Sequence, residues 1–507
     1  MKKKTSKIVK EITHLVVRAR AGCGKTSTTI DLVNFLLNSK YKPSYKSTPQ
    51  QQAIYDAIAS AVNIVYCAYN KSIATETQEK LPKGVQAKTL HSLGMNYVRK
   101  HFGRIKVSAD QNSYRMKDLL GYKVEERMSK EHFNLTQKVC KVVGLLKNFM
   151  LDGSKEDVVQ LVNHFGIDVN GSMDQIQKFA PRLLEMACEE SNGVKYIDFD
   201  DMIYLPAKLG IVTQDFDLMI VDEAQDLNPA QHELVCAAAK QVVMVGDDKQ
   251  AIYGFRGSDS DSINNCVKKL EGLGGTVKEF PLNVTWRCPK SHVEAVNHIV
   301  PDLQAAPNAI EGEIHNIKLK DITKHLSGSK SLVMCRVNAP ICQLAFRLIR
   351  DGIPCRIQGR DFGAGLISLI KKLNKDDVPD LMQELEDYRQ KELNRIAKQK
   401  QFNSDMAMQN VNDKCDCIIY LSEGLSTSKE LIARIEDLFS EERRGDQVLL
   451  SSGHRAKGLE AEDTFILNPE LLPHPMAQQP WEVEQEMNLY YVMHTRSMNR
   501  KFIVETK

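Results

Sequence analysis

Four short runs of mostly apolar residues, at 14–17, 64–67, 218–221 and 242–245, constrain this chain most. None alternates apolar with polar, as a strand with one wet face would. Runs of this kind, ended by polar or glycine-rich turns, predict strands buried on both faces, and so a parallel sheet covered by helices on both sides. Helical patterns lie between the runs, which makes the chain α/β. A second set follows at 332–334, 355–357, 448–450, 464–467 and 502–504, predicting a second sheet and a second lobe. The 507 residues agree, since single cores stop growing at about 250–300 residues.

Two stretches break the rhythm. Residues 95–196 are helical in pattern with no clear strand, and 375–445 are helical and highly charged. Both are expected to be insertions, their charges a solvated face. The expected organisation is a first lobe of 1–94 and 197–281 and a second of 282–374 and 446–507. With 68 Lys+Arg against 65 Asp+Glu, the net charge of +3 leaves any nucleic-acid surface to a local basic patch. No apolar run reaches the ~18–20 residues of a membrane span. The lysine-rich residues 1–10 lack the apolar centre of a signal peptide. The twelve cysteines are scattered, and the lone Cys415/Cys417 pair is too sparse for a zinc site. They are expected to be reduced core thiols in a soluble, cytoplasmic protein.

Ala19-Arg20-Ala21-Gly22-Cys23-Gly24-Lys25-Thr26 follows the first strand and opens a helix, the context a phosphate-binding loop needs. Glycines let backbone N–H groups close around phosphate oxygens, and the helix N-terminus favours the anion. Here Ala21, Gly22, Cys23 and Gly24 would cradle the phosphates, Lys25 would neutralise them, and the Thr26 hydroxyl would hold Mg²⁺. Ala19 stands where the strict pattern has glycine, so a chance glycine turn is the alternative.

Asp222 and Glu223 end the third run, and open α/β sheets bind ligands at the carboxyl ends of their strands. Asp222 suits Mg²⁺, and Glu223 suits the orientation and deprotonation of an attacking water. A polar turn after a strand is the bland alternative. The fourth run leads into Gly246-Asp247-Asp248-Lys249-Gln250. Gln250 suits a γ-phosphate sensor. Tyr253 and Phe255 offer aromatic faces for bases, with core packing as the alternative for each.

In this order, AGCGKT at 21–26, VDEAQD at 221–226 and VGDDKQAIYGFRG at 245–257 resemble the UvrD/Rep/PcrA class of superfamily 1 helicases. Residues 69–74 and 88–92 look like phage and F-box-type members. In the second half, 285–287, 453–460 and 486–496 resemble the later motifs of the class. The resemblance runs from about 19 to 504. It implies two RecA-like lobes with ATP bound in the cleft between them, each lobe interrupted by a mainly helical insertion. It implies ATP-driven movement 3′→5′ along single-stranded DNA, acting at junctions with duplex, with room for an unidentified loading, replication or recombination protein. The alternatives are a translocase that strips proteins with little unwinding, and a nucleotide-gated DNA-binding module.

By the same resemblance, Arg287 and Arg496 would reach the γ-phosphate, Trp286 would stack on adenine, and Glu460 would meet the ribose or the arginines. Asn70, Thr89, His91, Tyr253, Phe255, Gly359, Arg360 and His454 would contact DNA, although His91 also suits an ordinary buried histidine. Two departures stand out. The glutamine-bearing segment that relatives carry before the P-loop is absent, and a similar one at 47–54 follows it instead, either folding back to the adenine or capping an inserted helix. The second insertion is short and the chain ends soon after the last motif, so a stripped core motor is expected, while the phage-like residues 70–74 suggest a viral or mobile-element origin.

Overall fold

The computed structural model describes residues 12–505 apart from 39, 59–60, 168, 170, 190–195, 253, 255–260, 399–403, 441 and 443–444. The chain divides into two compact units, Met1–Arg20 with Gly24–Asn283, and Ala21–Cys23 with Val284–Lys507.

The first unit begins with β1 (Thr13–Ala19), α1 (Lys25–Leu37), α2 (Pro49–Asp56), β2 (Ile64–Ala68), α3 (Lys71–Lys80), β3 (Gln86–Thr89) and α4 (Leu90–Phe102). It continues through β4 (Lys106–Val107), α5 (Gln111–Leu119), α6 (Lys130–Phe149), α7 (Lys155–His164), α8 (Met173–Cys188), β5 (Tyr196–Ile197) and α9 (Asp201–Lys208). It closes with β6 (Phe216–Val221), α10 (Pro229–Ala238), β7 (Ala239–Gly246), α11 (Ser262–Gly272) and β8 (Thr276–Leu282). Six strands form one sheet in the order β3-β2-β6-β7-β1-β8, every pairing parallel. The four apolar runs are its interior strands. β2 is buried throughout, as a strand covered on both faces must be. Each of its aliphatic side chains contributes about 1.5–3 kcal/mol by leaving water.

Strands β3 and β8 have no counterpart among the sequence expectations, and both are edges. Their sequences, QAKT and TVKEFPL, are polar because one side meets water, and the periodicity that marks a buried strand is lost. Within 95–196 the absence of strands is corrected by the two-residue pair β4–β5, too short to leave a pattern. Helices α5 to α8 surround their own core, which includes Val139, Val142, Leu146, Ile176 and Leu183. Beside it lies a buried ionic network. Lys147 Nζ lies 2.6 Å from Asp198 and 2.7 Å from Asp201, and Arg115 lies 3.0 Å from Asp201.

The second unit holds β9 (Val284–Thr285), α12 (Lys290–Glu294), β10 (Gln304–Ala305), β11 (Glu313–Lys318), β12 (Ser331–Cys335), α13 (Ala339–Arg350), β13 (Cys355–Gln358) and α14 (Arg360–Leu373). Then come α15 (Val378–Lys398), α16 (Ser404–Ser422), α17 (Ser428–Leu438), β14 (Val448–Ser452), β15 (Ala461–Leu467), α18 (Pro480–His494) and β16 (Ser497–Glu505). A second parallel sheet runs β11-β16-β15-β12-β14-β13. The edge strand β11 again escaped the sequence patterns, its six residues mostly exposed. Helices α15 to α17 are more than a solvated face. Leu381, Leu385, Cys415, Cys417, Ile418, Leu431 and Ile435 join the core of the sheet, so the charges mark only the outer side of amphipathic helices. The twelve cysteines are free thiols, ten of them buried, Cys415 and Cys417 included. Among the described residues no helix is long and apolar enough to cross a membrane.

Candidate functional site

In the first unit the site assembles at the carboxyl ends of β1, β6 and β7. The loop after β1, whose residues Ala21–Cys23 group with the second unit, turns through Gly22 at φ 70° and Gly24 at φ 79°, left-handed values that side chains resist. Gly24 caps α1, so Lys25 and Thr26 occupy the first turn, where backbone N–H groups lack intrahelical partners and attract anions.

Lys25 Nζ lies 2.6 Å from Glu223 Oε1. Burial works against the Lys25 charge, but Glu223, Asp222 and Asp247 outweigh it and hold its pKa above the ordinary lysine value. Glu223 has φ 55° and ψ 42°. A left-handed backbone at a non-glycine residue costs energy and collects at functional sites. Gln225 Nε2 donates to Glu223 Oε2 at 2.5 Å, while Gln225 Oε1 accepts from the Asp247 backbone N–H at 3.0 Å. One glutamine thus ties the β6 turn to the β7 turn. The buried Asp222 accepts from Tyr66 at 2.9 Å and from the Glu223 backbone at 3.0 Å. Burial, then neighbouring Glu223, raises its pKa against the pull of Lys25. Gln250 is buried and donates to Asp247 at 2.7 Å, and Arg20 holds Asp247 at 3.0 Å and Asp248 at 2.7 Å.

The structure therefore brings Lys25, Asp222, Glu223 and Gln250 into one connected polar cluster with Thr26 beside it. Tyr66, Gln225 and Arg20 belong to that cluster and carry no sequence-derived role. Arg20 left one signal, a charge inside a loop between two buried elements. The oxygen donors Thr26 and Asp222 are the hard ligands Mg²⁺ prefers, so this donor set fits the metal.

The glutamine segment caps a helix and also folds back beside the phosphate-binding loop, where a Cβ on Gly24 would stand 4.0 Å from Gln51 Nε2. Thr48 and Gln51 form a reciprocal capping box at the start of α2, and Gln51 Nε2 donates to Thr28 on α1 at 3.0 Å. Gln50 donates to Asn283 at 2.7 Å. These amides are engaged within the unit.

Asn70 and Thr89 cap α3 and α4, accepting from Ile73 N at 2.9 Å and Ser92 N at 3.1 Å. They sit at the carboxyl ends of neighbouring strands. His91, half-buried, has its pKa lowered by burial. It lines a cavity of about 410 Å³ with Tyr69, Asp200, Asp222 and Asp226. Burial and Asp198 push Asp200 up to about 6. Tyr253 and Phe255 lie outside the described residues.

In the second unit Arg287 meets Glu460 through two nitrogens, at 2.7 Å and 2.6 Å, placing Glu460 with an arginine. Trp286 is 55% exposed, its ring available to a ligand. Arg496 is buried, its Nε donating to Val492 O at 2.8 Å and Nη2 to Thr495 Oγ1 at 3.0 Å. Gly359 has φ 137° and lies so close to Arg455 that a Cβ would stand 3.0 Å from its Nε. Arg360 is exposed in the first turn of α14, and His454 is half-buried in the loop after β14.

Residues 1–271 match the UvrD/REP helicase N-terminal domain, and residues 367–507 match the UvrD-like helicase C-terminal domain. The chain belongs to the UvrD/Rep helicase family. It is 27% identical over 306 residues to the ATP-dependent DNA helicase Rep of Buchnera aphidicola, covering 56% of this chain and 42% of that protein. It is 25% identical over 314 residues to the ATP-dependent DNA helicase PcrA of Staphylococcus aureus, covering 56% of this chain and 38% of that one. The chain thus spans less than half the length of these relatives.

Proposed function

We propose that this chain is an ATP-dependent DNA helicase that couples hydrolysis to 3′→5′ movement along single-stranded DNA and to strand separation. The observation that carries it is the Lys25–Glu223 pair, set between a left-handed glycine loop and a strained strand end, in a chain of the UvrD/Rep family. Lys25 and Glu223 neutralise each other in the resting site. An ATP phosphate bound at the N-terminus of α1 competes for Lys25. Glu223 is then released from its ion pair to take a proton from the attacking water, with Gln225 fixing its second oxygen. Thr26 and Asp222 would hold Mg²⁺, which offsets phosphate charge when bound.

The lobes 1–94 with 197–281 and 282–374 with 446–507 would close on ATP, with the loop from Ala21 to Gly24 around the phosphates and Trp286 on the adenine. Gln250 would sense the γ-phosphate. Arg287 and Arg496 would stabilise charge in the transition state, a contribution of about 10³–10⁵ in rate where such arginines have been removed. Asn70, Thr89, His91, Gly359, Arg360 and His454 would track the DNA strand, together with Tyr253 and Phe255. Backbone contact of this kind weakens with salt and tolerates any sequence.

Duplexes carrying a 3′ or a 5′ single-stranded tail test the direction and the unwinding together. The proposal expects ATP-dependent separation of the 3′-tailed duplex only. Separation of the 5′-tailed duplex alone overturns the polarity. Hydrolysis with neither duplex opened favours a translocase.

A further inference from the structure

Strand β16 sends neighbouring cations to opposite faces of its sheet. Arg500 reaches Asp463 at 2.5 Å. Lys501 is fully buried, and its Nζ donates to the carbonyl oxygen of His494 at 3.2 Å. His494 is the last residue of α18, and Thr495 and Arg496 follow it directly. The final carbonyls of a helix lack intrahelical donors and form its negative pole. Here they are shared out. Val492 O accepts from Arg496 Nε at 2.8 Å, and Tyr491 O accepts from Thr495 Oγ1 at 2.8 Å. The His494 carbonyl falls to Lys501.

The groups facing this ammonium are Cys288, after β9, His292 on α12 and His494 on α18. Arg287 and Arg496 face Cys288 in turn, and His298 faces His494. Thr464 and Ile314 flank Lys501 in register on β15 and β11. Among the described residues no carboxylate forms an ion pair with Lys501. Burial brings Lys501 down to about 8. Burial first, and the charge of Lys501 second, brings His292 down to about 4 and His494 well below the usual imidazole range. At neutral pH this pocket therefore holds one lysine cation beside neutral imidazoles.

We infer that the Lys501 ammonium is a positioning group, anchoring the carbonyl end of α18 and through it setting Arg496 for ATP hydrolysis. The inference rests on the proposed role of Arg496. A buried cation with no counter-ion is a cost to folding, and a hydrocarbon side chain would fill the same space without it. What the ammonium adds is a charged donor at the helix end from which Arg496 emerges.

The test is DNA-stimulated ATP hydrolysis by the full chain between pH 6.5 and 9.5, comparing wild type, Lys501→Met and Lys501→Arg. Wild-type kcat should fall above a pH of about 8 as Lys501 loses its proton. Lys501→Met should lower kcat by about 10–100-fold, the scale of a slightly misplaced catalytic group, with KM little changed and the alkaline fall gone. Lys501→Arg, which does not titrate in this range, should restore kcat at neutral pH and stay active beyond it. Wild-type kcat and the same alkaline fall in Lys501→Met overturn the inference. So does an active Lys501→Arg that keeps the alkaline fall, which serves should the Met variant not fold. A wild type inactive at every pH strikes the ATPase reading itself and takes the inference with it. An active wild type whose profile ignores residue 501 strikes the inference alone.

Discussion

Lys147 in the helical part of the first unit and Lys501 in the second sheet are both fully buried, and their surroundings are opposites. Lys147 sits among carboxylates. Burial lowers its pKa, yet Asp201 and Asp198 raise it further, above the ordinary lysine value. Asp201 is driven the other way, its burial outweighed by Lys147 and Arg115. Lys501 has a carbonyl and neutral rings instead, and burial prevails. The first lysine is a structural tie whose charge is fixed across the physiological range. The second can change its charge within a unit or two of neutral pH. Burial alone does not decide what a charged side chain does. The charge of its partners does.

Removing each lysine should therefore have opposite consequences for stability. Lys147→Met leaves Asp198 and Asp201 buried with only Arg115 against them. Breaking a buried pair from one side costs about 3–5 kcal/mol, which a urea or thermal melt of the full chain would register as a large loss. An unchanged melting point would show that the two buried lysines do not differ in this way. The smaller effect concerns pH. Lys501 in the folded chain titrates at about 8, against an unfolded value near 10.5. Between those values the unfolded chain holds more protons, so the stability assigned to this residue rises with pH across the window. Below about 8 the full cost of the buried cation is present. Lys501→Met should remove that rise and leave stability at pH 7 equal to or above wild type. A strongly destabilised Lys501→Met would place Lys501 with Lys147 as a structural tie.

The same contrast explains what the sequence made legible. Lys25, Asp222 and Glu223 were readable because each ends or follows a buried apolar run, and the glycines at 22 and 24 mark a turn that few residues allow. The interior strands showed for the same reason. Tyr66 and Gln225 did not, because their roles depend on partners 156 and 22 residues away, a spacing that no local pattern encodes. Strands β3, β8 and β11 were hidden by their wet edges. The segment at 47–54 left two readings open, because both its capping box and the place of Gln51 beside Thr28 and Gly24 depend on how the chain folds back. Lys501 follows the polar pair Asn499 and Arg500, and only the fold turns its side chain inward.

The most direct measurement is ATP hydrolysis with and without single-stranded DNA, for the wild type and for Glu223→Gln. The Lys25–Glu223 arrangement predicts strong stimulation by DNA, and a loss of about 10²–10⁴-fold in kcat in the variant, the scale of a lost general base, with ATP still bound. A folded wild type that binds DNA without hydrolysing ATP, or a Glu223→Gln variant as fast as wild type, would contradict the account.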